Sequence, residues 1–294
     1  MELINGKAIA DTVLAELKEE VSALPLDSPR PTIAFIRVGE DPASITYVTR
    51  KQQTAALLGF ESIIKILPES TSQNALLKEI DVFNANKAVH GILIQAPLPG
   101  HISEYTAFNH VIASKDVDGF SAVNLGKLCQ QDDSGLTPCT PAGIQELFKR
   151  EALETTGKHI VIVGRSLIVG KPAALLFLKK DTFGNATVTV CHSQTKDLKS
   201  IAKSADIIIA ATGRANLITA DMITPGAIVI DVGINRTVDP STKKGYRLTG
   251  DVDFKNVAPL CKKITPVPGG VGPMTVAMLM KNTWKAYQGQ TNNR

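Results

Sequence analysis

Short runs of β-branched and aliphatic residues alternate almost from end to end with segments whose apolar positions recur at helical intervals. Thr32–Val38 reads as a strand, as do residues 62–67 and 89–94, because runs of this length rich in Ile, Val and Leu suit a buried sheet. Before them, Ile9, Val13, Leu17 and Val21 fall on one face of a helix. Asp41-Pro42 marks a helix start, a capping carboxylate followed by proline at the first helical position, and Thr140-Pro141 repeats the device. A second series follows, with strands at His159–Val163, Thr187–Cys191, 206–211 and 227–232. Residues 274–287 then return to helical spacing. Such alternation predicts an α/β fold of parallel strands flanked by helices.

Residues 134–141 turn to Gly, Pro and Thr and predict a junction between two lobes. The length, 294 residues, fits two domains at roughly 100–200 residues each. The predicted division gives a first, substrate-binding α/β lobe of residues 1–139 with 273–294, the C-terminal helix returning to it. A second, Rossmann-type lobe takes residues 140–272. Composition supports ordered globular lobes: 44% of residues are hydrophobic and 20% charged, which excludes a disordered or fibrous chain. The formal charge of +4 never gathers into a basic block, so no nucleic-acid partner is expected, while a site for an anionic small molecule is compatible with it. No apolar run approaches the ~18 residues of a membrane span. The start, Met1-Glu2-Leu3-Ile4-Asn5, has no export signal, which predicts a cytoplasmic protein with no membrane partner. Four scattered cysteines without a CxxC pair and five dispersed histidines without HExxH predict reduced thiols and no metal.

The sharpest chemistry in the second lobe follows the strand His159–Val163. Gly164-Arg165-Ser166-Leu167-Ile168-Val169-Gly170 bounds a turn with glycines between strand and helix, where backbone N–H groups can approach a pyrophosphate. The spacing is GxSxxxG rather than GxGxxG, so its context, a strand–turn–helix followed by three more strands, carries the reading. Glycines that merely close a tight turn are the alternative. The next strand ends Val190-Cys191-His192-Ser193, without the carboxylate that binds a 2′-hydroxyl in NAD sites. Arg165 and Ser193 offer donors instead, and a guanidinium suits a 2′-phosphate, so the expected cofactor is NADP.

In the first lobe Ser44, Tyr47 and Lys51 form SxxYxxxK on the helix opened by Asp41-Pro42, with Tyr47 and Lys51 on one face. Alone, this also fits an exposed helix with a solvated lysine. A YxxxK pair marks short-chain dehydrogenases too, but there it follows the dinucleotide turn, whereas here it precedes it by more than a hundred residues. Gln95 ends a strand that runs into Ala96-Pro97-Leu98-Pro99, at the carboxyl edge where open α/β sheets place ligands. Lys115-Asp116-Val117-Asp118-Gly119 presents two acids in a turn, one able to accept hydrogen bonds from a heterocycle.

Taken in order, these segments resemble the bifunctional methylenetetrahydrofolate dehydrogenase/methenyltetrahydrofolate cyclohydrolase family. The resemblance runs from Gly6-Lys7 through the Tyr47–Lys51, Gln95–Pro99, Lys115–Gly119, Pro138–Pro141, Gly164–Pro172 and Cys191–Thr195 segments. It continues through Asp231-Val232-Gly233-Ile234-Asn235, Gly250-Asp251-Val252 and the unbroken Thr265–Thr275 block, so it covers nearly the whole chain. It implies two reactions in one cleft between lobes: oxidation of 5,10-methylenetetrahydrofolate with NADP, then hydrolysis of the methenyl cation to 10-formyltetrahydrofolate. It also implies a catalytic Lys51, a folate-stacking Tyr47, Gln95 holding the lysine and Asp118 anchoring the pterin. By the same resemblance, cofactor contacts are expected at Gly164, Arg165, Ser166, Ser193, Gly233, Ile234 and Asn235. The same resemblance implies that Pro268, Gly269, Gly270 and Val271 form a backbone wall beside folate and nicotinamide, and that the enzyme is a homodimer joined through the second lobe.

The chemistry is consistent: a methenyl cation alongside Lys51 disfavours a second positive charge there, freeing the amine to act on water. Two departures are Ala96, where the family usually has Leu, and Leu167, at an often polar position. A dehydrogenase without cyclohydrolase activity, or a non-catalytic folate- or nucleotide-binding protein, are the competing readings. Intact Lys51 and Gln95 weigh against the first, and the intact glycine turn and Pro268–Thr275 segment against the second.

Overall fold

A computed structural model describes residues 1–242 and 245–291. The chain begins with β1 (Glu2–Leu3), α1 (Gly6–Ser22), β2 (Thr32–Val38), α2 (Pro42–Leu57), β3 (Glu61–Leu67), α3 (Gln73–Ala85) and β4 (Gly91–Ile94). Helices α4 (Glu104–His110), α5 (Ala122–Cys129) and α6 (Cys139–Arg150) follow. Next come β5 (His159–Val163), α7 (Gly170–Leu178), β6 (Thr187–Cys191), α8 (Leu198–Lys203), β7 (Ile207–Ala210) and β8 (Ile228–Asp231). An antiparallel pair, β9 (Asn235–Val238) and β10 (Tyr246–Thr249), precedes α9 (Phe254–Val257), β11 (Lys263–Ile264) and α10 (Val271–Thr291). Contacts divide the chain into two compact units: Thr12–Cys139 with Val276 onward, and Met1–Asp11 with Thr140–Thr275.

The first of these units is built on a parallel sheet ordered β3-β2-β4, with every residue of β2 buried at its centre. The segment before Asp118 extends it: the Ile92 N–H donates to Lys115 O at 2.7 Å, and Ile92 bridges Asp116 in parallel. Asp41 caps α2 as the sequence predicts, its carboxylate accepting from the Ser44 N–H at 2.7 Å, a contact worth about 1 kcal/mol. From α10, Leu279, Met280, Trp284 and Tyr287 share a core with Ile33, Phe35, Leu93 and Val117, so the C-terminal helix does return to this unit. The Trp284 indole donates to Glu20 at 2.7 Å.

The second unit is a six-stranded, all-parallel sheet ordered β1-β11-β8-β7-β5-β6. Strand order reverses at β5, which lies between β6 and β7, and such a switch point opens a crevice at the carboxyl ends of the strands. Two expectations are corrected here. Residues 1–11, expected in the substrate lobe, belong to this unit, because β1 pairs with β11 (Leu3 opposite Ile264), Ile4 is fully buried, and Lys263 ion-pairs with Glu2 and Glu151. Thr140 does not cap α6: the helix begins at Cys139, and the Thr140 hydroxyl instead meets the Thr275 hydroxyl at 3.1 Å.

Among the described residues, no helix is long and apolar enough to cross a membrane, and no group of three or more His, Cys, Asp or Glu is placed to hold a metal ion. All four cysteines are free thiols.

Candidate active and dinucleotide-binding sites

Lys51 lies in the middle of α2 and Gln95 just past the end of β4, adjoining elements of the β3-β2-β4 layer. Gln95 is held at both ends. Its backbone N–H donates to Ile36 O at 2.8 Å and its side-chain amide to Ala96 O at 2.5 Å. That leaves its carbonyl turned toward Lys51, whose Nζ donates to Gln95 Oε1 at 3.1 Å. Tyr47 sits one helical turn earlier on α2 and is 40% exposed, open to stack on a ligand rather than buried in the core.

The turn after residue 114 sorts its charged groups into distinct roles. Buried Lys115 donates to the carbonyls of Phe83, Asn84 and Asn86 at 2.7–3.0 Å, tying the end of α3 to the turn. Asp116, also buried, accepts from the N–H groups of Gly119, Phe120 and Ser121 and from the Asn124 amide at 2.8–3.2 Å. Both are structural. Asp118, partly exposed, makes no hydrogen bond within the described residues. Its carboxyl is pushed up to about 6, first by burial, with Lys51's positive charge opposing the shift and Asp116's negative charge adding to it. Lys51, Gln95 and Asp118 therefore share one neighbourhood: an ammonium, its amide partner and an unoccupied acceptor.

Sequence reasoning did not single out the groups behind Asp118. The Cys139 thiol donates to Val117 O at 3.2 Å, and burial, then Asp118's charge, push it well above the usual thiol range. Asn282 on α10 donates to Val117 O and Thr137 O, both at 2.8 Å, and fixes the peptide before Asp118.

At the switch point of the other unit, Gly164 has φ +135, and a Cβ there or at Gly170 would run into backbone, at Ala211 O and Gly164 O respectively. Backbone packing alone therefore requires both glycines. Ser166 Oγ accepts from the N–H groups of Val169 (3.1 Å) and Gly170 (3.4 Å), so it closes the turn ahead of α7 and keeps its own hydrogen to donate. Arg165 and Ser193 are exposed, and β6 ends without a carboxylate.

Ile234 is 44% exposed, whereas Gly233 and Asn235 are engaged within the fold, Asn235 donating to Asp251 at 2.9 Å and Thr249 O at 3.2 Å. Pro268, Gly269, Gly270 and Val271 lie where β11 leads into α10. The Lys7 N–H donates to Gly269 O at 2.8 Å, and Gly6 packs on Gly270 where a Cβ would clash. Gly6-Lys7 and the Thr265–Thr275 block, remote in sequence, are thus neighbours in this unit.

The geometry can be set beside known proteins. A model of the tetrahydrofolate dehydrogenase/cyclohydrolase catalytic domain matches residues 4–118, and one of that family's NAD(P)-binding domain matches residues 138–291. The chain is 51% identical over 290 residues to a bifunctional protein FolD of Chlorobium phaeobacteroides, covering 98% of each. A crystal structure of the bifunctional enzyme FolD from Campylobacter jejuni is similar at TM-score 0.92 and 44% identity over the whole of both chains. A Trypanosoma brucei methylenetetrahydrofolate dehydrogenase-cyclohydrolase, solved with NADP cofactor and inhibitor, is similar at TM-score 0.92 and 39% identity, covering 98% of each chain.

Proposed function

Because the chain belongs to the tetrahydrofolate dehydrogenase/cyclohydrolase family, we propose that Lys51, Tyr47, Gln95 and Asp118 form its catalytic and folate-binding centre. The turns bearing Gly164, Arg165, Ser166, Ser193, Gly233, Ile234 and Asn235 hold NADP in this reading, and the Pro268–Val271 backbone adjoins the reacting ends. The protein is an enzyme that oxidises 5,10-methylenetetrahydrofolate with NADP to the methenyl form and hydrolyses that to 10-formyltetrahydrofolate.

The residues present fit the dinucleotide: the Arg165–Ile168 turn that leads into α7 is exposed, and no acid stands at the end of β6 to repel a 2′-phosphate. When bound, NADP accepts hydride from the methylene carbon. Arg165 and Ser193 donate to the 2′-phosphate.

On the folate side, Asp118 is mostly ionised at pH 7, its carboxyl titrating near 6, and accepts hydrogen bonds from the pterin's amino and ring N–H groups. Tyr47 stacks on the ring system. In the hydrolytic step the bridge is cationic, and like charge beside it disfavours the ammonium form of Lys51. As water oxygen bonds to the bridge carbon, Lys51 Nζ takes its proton and the C–N5 bond opens with N5 protonated. One proton is released overall. Gln95 Oε1 keeps Nζ aimed throughout.

The observation that carries this reading is the 3.1 Å Lys51–Gln95 contact beside the one acid of the turn left without internal donors. Its test is an absorbance time course with methylenetetrahydrofolate and NADP. Lys51→Met should accumulate methenyl product and hydrolyse it about 10²–10⁴-fold more slowly while still binding folate. Hydrolysis at the unsubstituted rate would remove Lys51 from this role. The same reading includes a homodimer joined through the Rossmann-type unit, a cytoplasmic location and supply of one-carbon units to purine biosynthesis. Sedimentation at twice the chain mass tests the first.

A further inference from the structure

Two short segments interlock at the carboxyl ends of β7 and β8. Asp231-Val232-Gly233 ends β8, and Gly250-Asp251-Val252 follows β10. Both acids are buried, at 2% and 0% exposure. Asp231 accepts from the N–H groups of Gly233 (3.0 Å), Asp251 (2.8 Å) and Val252 (3.0 Å). Asp251 accepts from the N–H groups of Thr212 (2.5 Å) and Gly213 (2.9 Å), the Thr212 hydroxyl (3.0 Å) and the Asn235 amide (2.9 Å). The glycines are reciprocal: a Cβ on Gly233 would collide with the Asp251 carboxylate, and one on Gly250 with that of Asp231. Each segment leaves the space that the other's acid fills. Gly233 is therefore explained by packing against Asp251, with no need for a ligand to approach it.

The sheet gives this interlock a place relative to the dinucleotide. Arg165 and Ser193 lie at the ends of β5 and β6, while β7 and β8 lie on the other side of β5. With the 2′-phosphate at β6 and the pyrophosphate at the start of α7, a dinucleotide crossing the switch point sets its second nucleoside over β7 and β8. We infer that Asp251 is a positioning residue for the nicotinamide half of NADP, holding the Thr212–Gly213 turn and the Gly233–Asn235 turn in fixed relation, with Asp231 bracing it from beneath. The inference rests on the cofactor reading above. Asp251 acts through these turns, its carboxylate being already filled by four internal donors.

Asp251→Asn keeps the shape but sets an NH₂ against groups that themselves donate. The affinities of NADP and of adenosine 2′,5′-bisphosphate, which contains only the other half, are measured on the full chain by calorimetry, together with the apo melting temperature and the KM for methylenetetrahydrofolate. The variant should bind NADP about tenfold or more weakly, bind the bisphosphate within about twofold of the unsubstituted chain, and keep its folate KM. NADP binding unchanged, or equal loss of both ligands, overturns the role. Should Asp251→Asn fail to fold, Thr212→Val removes one hydroxyl, which donates to Asp251 at 3.0 Å and accepts from the Arg214 N–H at 3.2 Å, and should show the same split at smaller size; no split in that variant also overturns it. An unsubstituted chain that binds neither ligand instead overturns the cofactor reading itself.

Discussion

Lys115, Asp116 and Asp118 lie within four positions of one another, yet only one keeps its charge for a ligand. Lys115 is saturated by three carbonyls and Asp116 by four donors, whereas Asp118 has none. The sequence showed that this turn offers two acids; which one is free depends on where Asn124 and the succeeding N–H groups converge, and that is tertiary. Leaving Asp118 bare has a stability cost with a definite sign. Its carboxyl is raised from 3.8 to about 6, so the folded chain binds this proton more tightly than the unfolded one. The native stability it contributes is full below about pH 4 and is lost as pH rises through about 6. Asp118→Asn should therefore gain on the unsubstituted apo-protein between pH 4 and 6 and hold a roughly constant lead above that, of order 1–3 kcal/mol, while folate binding weakens. Melting curves across pH 4–8 check this. A difference independent of pH would mean that Asp118 titrates normally.

At the scale of elements, strands of four residues or more were legible in the two sheets and the two-residue ones were not. Thr32–Val38, His159–Val163 and Thr187–Cys191 form strands at the bounds their β-branched runs predict. Two-residue strands such as β1 and β11 have no periodicity to detect: β11 is defined by its pairing with β8, and β1 by adding an edge to β11. Thr140-Pro141 carried a valid capping signal, but α6 starts two residues before Pro141, at Cys139, which packs inward and is 1% exposed. The glycine turn was found from its context, and the structure adds a reason for its glycines that involves no ligand. Gly170→Ala drives a Cβ into Gly164 O, so the start of α7 must shift. The expected result is a loss of about 1–3 kcal/mol in stability together with weaker NADP binding, read from melting and titration of the same preparation. Full retention of both would mean that the turn has room to adjust.

For the whole molecule, the division into two units was readable from the Gly/Pro-rich junction near residue 139, and the return of the last helix from its spacing. What composition could not reveal is that the chain crosses between units three times, at residues 11, 139 and 275. The unit holding Lys51 draws Leu279, Met280, Trp284 and Tyr287 from the far end of the sequence. A chain stopped after Thr275 should leave that core open, making residues 12–139 protease-sensitive and abolishing methenyl hydrolysis; a resistant fragment would show that the core closes without α10. The pairing of Leu3 with Ile264 has a counterpart in time. On a ribosome adding about 5–20 residues per second, the first strand emerges roughly 10–50 s before its partner exists. During that wait Leu3 and Ile4 are available to chaperones or to neighbouring nascent chains, and the core of the unit that carries Lys51 closes only once residues 279–287 have been made.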